Sequence, residues 1–308
     1  MSAIHLVVNP RAGAGAGARR VRDARDALAN AGDVEVHETR TAGDETRLAV
    51  EAHRNGARAL AVLGGDGTVS NAARGLLQHG SRLPLVVLAA GTGNDFAKSY
   101  GAPVHDYAAM ARLVAADSVQ TIDAGSVNDV TFVSAAGFGF DVHVLARLAA
   151  HRGSSGRATY ALTALRALRA YRGFVAQVKG QAVTADASVA DQSSRLLLLV
   201  FANGRYFGGA FCIAPNASMR DGALDMIRIA DASTARRVAL LARAVRGAHM
   251  GCQEVSTARA AEHVVTFAAP PLFETDGELH QARESTVRVR CLPNALRVIA
   301  PAGDAAGA

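Results

Sequence analysis

Leu63-Gly64-Gly65-Asp66-Gly67-Thr68-Val69-Ser70-Asn71 decides how this chain reads. The apolar run Ala59–Leu63 has the length and composition of a buried strand, and an Ala-rich helix is predicted to begin near Thr68. Three glycines and an aspartate between them let the backbone turn sharply and approach a ligand closely. The N–H groups of the helix start then face that ligand, with the positive end of the helix dipole behind them; this is the geometry of a phosphate site. A carboxylate at Asp66 repels phosphates unless a cation lies between, so a Mg²⁺ held through water belongs to the same reading. The loop points to a nucleotide triphosphate, a divalent metal and phosphoryl transfer.

Two further turns repeat the pattern. Strand Leu85–Ala89 leads into Gly91-Thr92-Gly93-Asn94-Asp95-Phe96-Ala97, where Asn94 or Asp95 can cap the next helix. Strand Ile4–Val8 leads into Asn9-Pro10-Arg11-Ala12-Gly13 and an alternating Gly-Ala run to Gly17. Three strand-to-glycine turns belong at the carboxyl edge of one parallel sheet, where ligands of open α/β folds bind.

The ordered set of motifs resembles the diacylglycerol kinase catalytic family, lipid kinases that include bacterial diacylglycerol kinases and sphingosine kinases. It is carried by Asn9-Pro10 with Gly13, Gly64-Gly65-Asp66-Gly67-Thr68, and Gly91-Thr92 with Asn94-Asp95-Phe96-Ala97. It continues through Asp123-Ala124-Gly125, Asn203-Gly204 with Gly208-Gly209, Asp221-Gly222-Ala223-Leu224-Asp225 and Asp276-Gly277-Glu278. The first glycine-aspartate loop alone would also suit an NAD kinase. One departure stands out: some bacterial relatives carry a lysine after the first motif, and here Ala14 follows Gly13. Arg11, Arg19, Arg20 or the backbone of the glycine loop is left to supply that charge.

Alternation of strands and helices up to Asp123 predicts an α/β, doubly wound parallel-sheet nucleotide domain. Its elements are strands at Ile4–Val8, Val34–Glu38, Ala59–Leu63 and Leu85–Ala89, and helices near Arg19–Ala31, Glu45–Asn55, Val69–Leu77, after Asn94 and at Tyr107–Ala115. Beyond it, Phe174–Val189, Arg195–Ala202, Ala223–Ile229, Glu254–Ala268 and Thr286–Ile299 read as strands or strand pairs of an antiparallel, sandwich-like half. Helices are expected there near Val142–Ala150, Arg157–Tyr171 and Ser233–Ala248. The resemblance implies the same plan: a nucleotide domain of residues 1–124, rejoined by a returning segment at about 291–302, a C-terminal β-sandwich domain of residues 125–290, and an active site in the cleft between them. The small, polar tail 303–308 reads as disordered.

Composition narrows the partners. The chain has 308 residues, half of them hydrophobic, so a sizeable core is available. No apolar run approaches a membrane span, and the amino terminus lacks a signal-peptide layout. Cys212, Cys252 and Cys291 are widely spaced without a CxxC pair, as in a reduced cytoplasmic protein. The formal charge of +6 comes from scattered arginines rather than a basic tract with aromatics, which argues against nucleic acid. No zinc spacing of histidines and no serine nucleophile elbow occurs. Arg166, Arg169 and Arg172, with Leu162, Leu165 and Leu168 interleaved, form a basic amphipathic pattern suited to transient contact with a membrane surface.

Site residues follow. Thr68 can donate its hydroxyl to a phosphate or cap its helix, and Asn71, one turn on, can meet nucleotide or backbone. The resemblance implies an ATP site of Asn9, Pro10, Arg11, Gly13, Thr41, Gly64, Gly65, Asp66, Gly67, Thr68, Asn71, Gly91, Thr92, Asn94 and Asp95. It also implies that Asp95 joins Asp66 and its metal, and that Asp276 and Glu278 supply an acidic base for the attacking alcohol. Read bare, Asp276-Gly277 is an ordinary hairpin turn. Ser218, Asp221 and the carbonyl of Ala223 can hold a bracing Mg²⁺ or form a solvated turn. The expected protein is a cytoplasmic, membrane-peripheral kinase moving the γ-phosphate of ATP to a lipid alcohol, with diacylglycerol leading. A sphingoid base or other lipid, an NAD kinase-like activity, and a non-catalytic lipid or nucleotide sensor are the alternatives. A homodimer is left open.

Overall fold

A computed structural model describes residues 2–10, 17–41, 43–150, 167–182 and 195–302. Arg11 and Gly13, the greater part of the Arg157–Arg172 pattern including Arg166, and the 303–308 tail lie outside these residues. The chain divides into two compact units. Unit 1 comprises residues 1–124, 218–222 and 292–308; unit 2 comprises residues 125–217 and 223–291.

Unit 1 alternates β1 (Ile4–Val8), α1 (Gly17–Ala29), β2 (Val34–Glu38), α2 (Asp44–Arg54), β3 (Ala59–Gly64), α3 (Asp66–Gln78) and β4 (Leu85–Ala89), then α4 (Asp95–Ser99) and α5 (Tyr107–Ala115). The strands pair in parallel in the order β4-β3-β1-β2, with Val8 level with Leu63 and Gly64 level with Ala89. β1, β3 and β4 are buried along their whole length, as apolar strands covered on both faces must be. The helices pack closely: a Cβ on Gly75 of α3 would stand 2.7 Å from the Thr46 carbonyl oxygen of α2.

Unit 2 is antiparallel. β5 (Val119–Val127) enters it and is followed by β6 (Val130–Phe132), β7 (Ala135–Gly139) and α6 (Phe140–Ala150). Then come β8 (Ala176–Ala182), β9 (Leu196–Ala202), the short pair β10 (Tyr206–Phe207) and β11 (Phe211–Cys212), β12 (Leu224–Ala230) and α7 (Thr234–Ala244). The long β13 (Val255–Phe267), the hairpin β14 (Leu272–Thr275) and β15 (Glu278–Gln281), and β16 (Thr286–Ile299) complete the chain. The order β15-β14-β7-β9-β12-β13 forms one sheet, with β8 and the first half of β16 also on β13. β9 is buried at every residue and feeds two cores. Val200 and Ala202 pack into one with Val144 and Leu240, while Leu199 and Phe201 pack into the other with Phe132, Phe138 and Phe273.

Four expectations change or narrow. α3 begins at Asp66, two residues before Thr68, so the glycine-aspartate segment is itself the first helical turn. The glycines at 64, 65, 67, 91 and 93 are outside the left-handed region, so none is required for turning; Gly64 and Gly91 are required for closeness. β5, β6 and β7 were not anticipated, because Asp123, Gly125 and the small residues of Ala135–Gly139 dilute the apolar signal. Glu254–Ala268 and Thr286–Ile299 are each one long strand.

Candidate active site

In unit 1 the carboxyl ends of β1, β3 and β4 lie side by side. The Asn9 N–H donates to the Leu63 carbonyl at 3.1 Å, and the Ala90 N–H to the Gly64 carbonyl at 2.9 Å. The two glycine loops touch: a Cβ on Gly91 would stand 2.7 Å from the Gly65 Cα, a distance backbone atoms cannot yield to. Gly64 is likewise closed to a side chain, because its Cβ would meet the Thr68 side chain at 2.5 Å. A Cβ on Gly67 would meet nothing within 4 Å, so the first turn of α3 faces open space there. The N–H groups of that turn have no carbonyl partner within the helix, which makes it an anion-binding terminus.

Asp66 joins the loops. Its Oδ2 accepts the Asn94 N–H at 2.7 Å and its Oδ1 the Asp95 N–H at 2.6 Å, so the carboxylate caps α4 from outside. This answers part of the puzzle of an acidic residue at a phosphate site. Each oxygen keeps a second lone pair, and the adjacent Asp95 is a buried carboxylate, so both are oxygen donors of the kind that Mg²⁺ takes. Asn94, with φ 54°, closes its own loop, accepting the Gly91 N–H and donating to the Gly91 carbonyl, both at 3.1 Å. His105 Nδ1 lies 3.0 Å from the Ala89 carbonyl, which requires the proton on Nδ1. Asn9 Nδ2 donates to Thr68 Oγ1 at 3.0 Å.

Arg20 of α1 donates to the Ala90 carbonyl at 2.6 Å. It brings a guanidinium to the β4 loop, supplying charge at this edge where Ala14 departs from the lysine pattern. Thr92 is exposed on its loop; Thr41 is exposed beyond β2, its N–H donating to the Asp44 carboxylate at the start of α2 at 2.9 Å. Asn71 points its Oδ1 at Arg74, 3.3 Å away, and its carbonyl accepts the Thr46 hydroxyl at 2.9 Å. Pro10 follows Asn9 at the end of β1.

The 218–222 segment is braced by Asp123, which sequence reading left without a role. Its carboxylate accepts the N–H groups of Gly222 and Asn294, both at 2.8 Å, and its N–H donates to the Met219 carbonyl at 2.7 Å. Ser218 Oγ accepts the Arg220 N–H at 3.4 Å, Asp221 lies within the turn, and Ala223 is buried at its end.

In unit 2, Asp276 and Gly277 form the β14–β15 turn, both at positive φ. The Asp276 carboxylate accepts the N–H groups of Val133, Ser134 and Ala135 at 2.9, 2.8 and 3.3 Å. Asn203, fully buried, grips the same connection by donating to the Val133 carbonyl at 2.8 Å. Glu278 opens β15, half-buried. Two further acids lie beneath this turn. Glu274 accepts the Gly277 N–H at 2.7 Å, and a Cβ on Gly137 would fall between Glu274 Oε1 and Asp141 Oδ2. Burial pushes the Asp141 carboxyl up to about 7, against the pull of the N–H groups at the start of α6. Burial, the Asp141 charge and the Asp276 charge raise Glu274 well above the usual carboxylate range, against the Gly277 N–H. The pair therefore holds protons near neutrality. Its sequence signal was an aspartate at a helix start inside the apolar run Gly137–Val144.

Unit 2 also has a cavity of about 520 Å³, within the range of small-molecule sites. It is lined by Phe138, Val142, Tyr171, Phe174, Phe267 and Leu272 among others, and among the described residues its lining includes no Lys, Arg, Asp or Glu. Leu272 and Val175 stand exposed at 48% and 43%. No helix of the described residues is long and apolar enough to cross a membrane.

A glycine-loop phosphate edge on a doubly wound unit, coupled in sequence to a β-sandwich, defines a class of kinase. The diacylglycerol kinase catalytic domain matches residues 3–127, and the YegS C-terminal NAD kinase beta sandwich-like domain matches residues 134–300. A diacylglycerol kinase of Mycobacterium tuberculosis is 33% identical over 97% of this chain and 95% of its own length. A Pseudomonas aeruginosa protein named "Probable lipid kinase YegS-like" is 31% identical over 94% of this chain and 92% of its own. Among solved structures, a diacylglycerol kinase from Bacillus anthracis superposes with a TM-score of 0.72 at 20% identity, covering 98% of this chain and 97% of that one. The chain belongs to the diacylglycerol kinase catalytic family.

Proposed function

We propose that this kinase transfers the γ-phosphate of ATP to the hydroxyl of a lipid, with diacylglycerol as the leading acceptor and phosphatidic acid as product. The observation that carries the reading is the pair of interlocked glycine loops at the sheet edge, with Asp66 capping α4 and the first turn of α3 open to a ligand. ATP phosphates would sit on the α3 N-terminus with Thr68, Asn9 and Arg20 at their side; Arg11, Gly13, Thr41, Asn71 and Thr92 complete the proposed nucleotide set. Mg²⁺, held by Asp66 and Asp95 through water, would offset phosphate charge. Ser218, Asp221 and the Ala223 carbonyl remain the proposed bracing Mg²⁺ site.

The lipid oxygen bonds to the γ-phosphorus as the bond to the β,γ-bridging oxygen breaks, and ADP leaves. The hydroxyl proton goes to a carboxylate of the Asp276/Glu278 pair. Catalysis here is positioning plus charge stabilisation. The uncharged lining of the unit 2 cavity supports an acyl chain as its occupant, and the exposed Leu272 and Val175 support contact with a bilayer at its rim. A sphingoid base is the second acceptor, since its hydroxyl would be phosphorylated by the same chemistry.

The test is transfer of labelled γ-phosphate to diacylglycerol and to sphingosine in mixed micelles, with NAD in solution as contrast. Label in diacylglycerol that is lost in Glu278→Gln and Asp66→Ala supports the proposal. Label in NAD alone overturns the lipid assignment, and ATP binding without transfer to any acceptor favours a sensor.

A further inference from the structure

Away from both regions, metal-ligating side chains gather on the edge of the parallel sheet. His5 lies on β1, and Glu35 and His37 lie on β2. The strands pair with His5 opposite Glu35 and Val7 opposite His37, and the two-residue repeat puts all three side chains on one face. His5 Nε2 is 3.4 Å and His37 Nε2 3.9 Å from the same atom, Glu35 Oε2. The imidazoles stack with centroids 4.8 Å apart and planes 21° from parallel, so both Nε2 atoms face that carboxylate. All three ligand atoms lie within 4.8 Å of one another.

The donor set selects the ion. Two imidazoles and a carboxylate suit zinc and its first-row neighbours, whereas Mg²⁺ prefers oxygen alone. Ligand atoms around a tetrahedral ion with bonds of about 2.0–2.1 Å stand roughly 3.4 Å apart. The His5–Glu35 edge already has that length. His5, with its side chain 7% exposed, is the fixed ligand; Glu35 and His37, at 58% and 33%, have the freedom to close the remaining edges and leave an entry path from solvent. Among the described residues Glu35 pairs with no lysine or arginine, so with neutral imidazoles the cluster carries one negative charge. His5 is four residues before Asn9, about 13 Å along an extended strand, so the cluster is separate from the phosphate edge.

We propose that His5, Glu35 and His37 form a binding site for a divalent transition metal of the zinc class, water completing its shell, that ties the edge strand β2 to β1. This inference is independent of the kinase reading.

The test titrates the chelator-stripped full chain with Zn²⁺ by calorimetry, with Mg²⁺ as control, and follows Co²⁺ binding by visible absorption. Wild type should take up one more equivalent of Zn²⁺ than Glu35→Gln or His37→Ala, or bind it more than about tenfold tighter, since even an outer-shell partner is worth that much. Zn²⁺ should raise the melting temperature of wild type and not of the variants. Glu35→Gln preserves shape at an exposed position, so its metal-free melting curve should match wild type. Equal stoichiometry and affinity in all three proteins, or no Zn²⁺ uptake by wild type, overturns the site.

Discussion

Gly91 and Gly65 meet backbone to backbone, and a methyl group at Gly91 has nowhere to go. Gly91→Ala is expected to destabilise the protein by about 1–3 kcal/mol, as overpacking does, and to weaken ATP binding; denaturant unfolding and nucleotide titration check it. Asp276 and Glu278 separate in kind. Asp276→Asn presents an amide to three backbone N–H donors, so it should lose about 1–3 kcal/mol of stability whatever it does to turnover. Glu278→Gln should abolish phosphate transfer with little change in the unfolding midpoint. Asp141 gives a pH signature. Folded, it keeps its proton up to about 7; unfolded, it releases it near 3.8. Between those values the folded state binds more protons, so this group's contribution to stability falls as pH rises through the window. Asp141→Asn should remove that slope, read from unfolding curves at pH 4 to 8, and a slope unchanged by the substitution would refute the assignment.

At the scale of elements, capping decides where helices begin. α5 starts where Asp106 accepts the Ala109 N–H at 2.8 Å. Asp106→Ala should cost about 1 kcal/mol, measured by chemical denaturation. α4 has no cap of its own and borrows Asp66 from α3, so loop and helix are a single mechanical piece. Most of the regular elements were legible from periodicity: β1, β2, β4 and α5 fall at their expected residues because long apolar runs or strong flanking signals mark them. β5 through β7 were not, because small and polar residues there are selected by close packing: a Cβ on Gly125 would collide with the Phe132 ring at 2.1 Å. Such packing leaves no local signature.

At the scale of the whole molecule, ATP binding to the folded chain should appear as stabilisation by mass action. A non-hydrolysable ATP analogue at about a hundred times its Kd should add roughly 2.7 kcal/mol. Glu278→Gln should keep that gain while losing transfer, separating nucleotide binding from chemistry. The chain passes between its units four times, within β5 at 124/125, on either side of the 218–222 segment at 217/218 and 222/223, and within β16 at 291/292.

Sequence alone determined the class of the protein: an apolar strand ending in glycines can also be an ordinary tight connection, but the ordered set of such motifs marks the family. It also named Asp66, Asn94 and Asp276 as residues of consequence. Only tertiary structure decided what their side chains hold. Asp66 reaches N–H groups 28 and 29 residues away, and Asp276 reaches the connection more than 140 residues before it. The buried Asp141–Glu274 acids and the histidine-carboxylate cluster on β1 and β2 arise the same way, from residues distant in the chain. Their chemistry depends on burial and approach, which folding creates and local pattern does not encode.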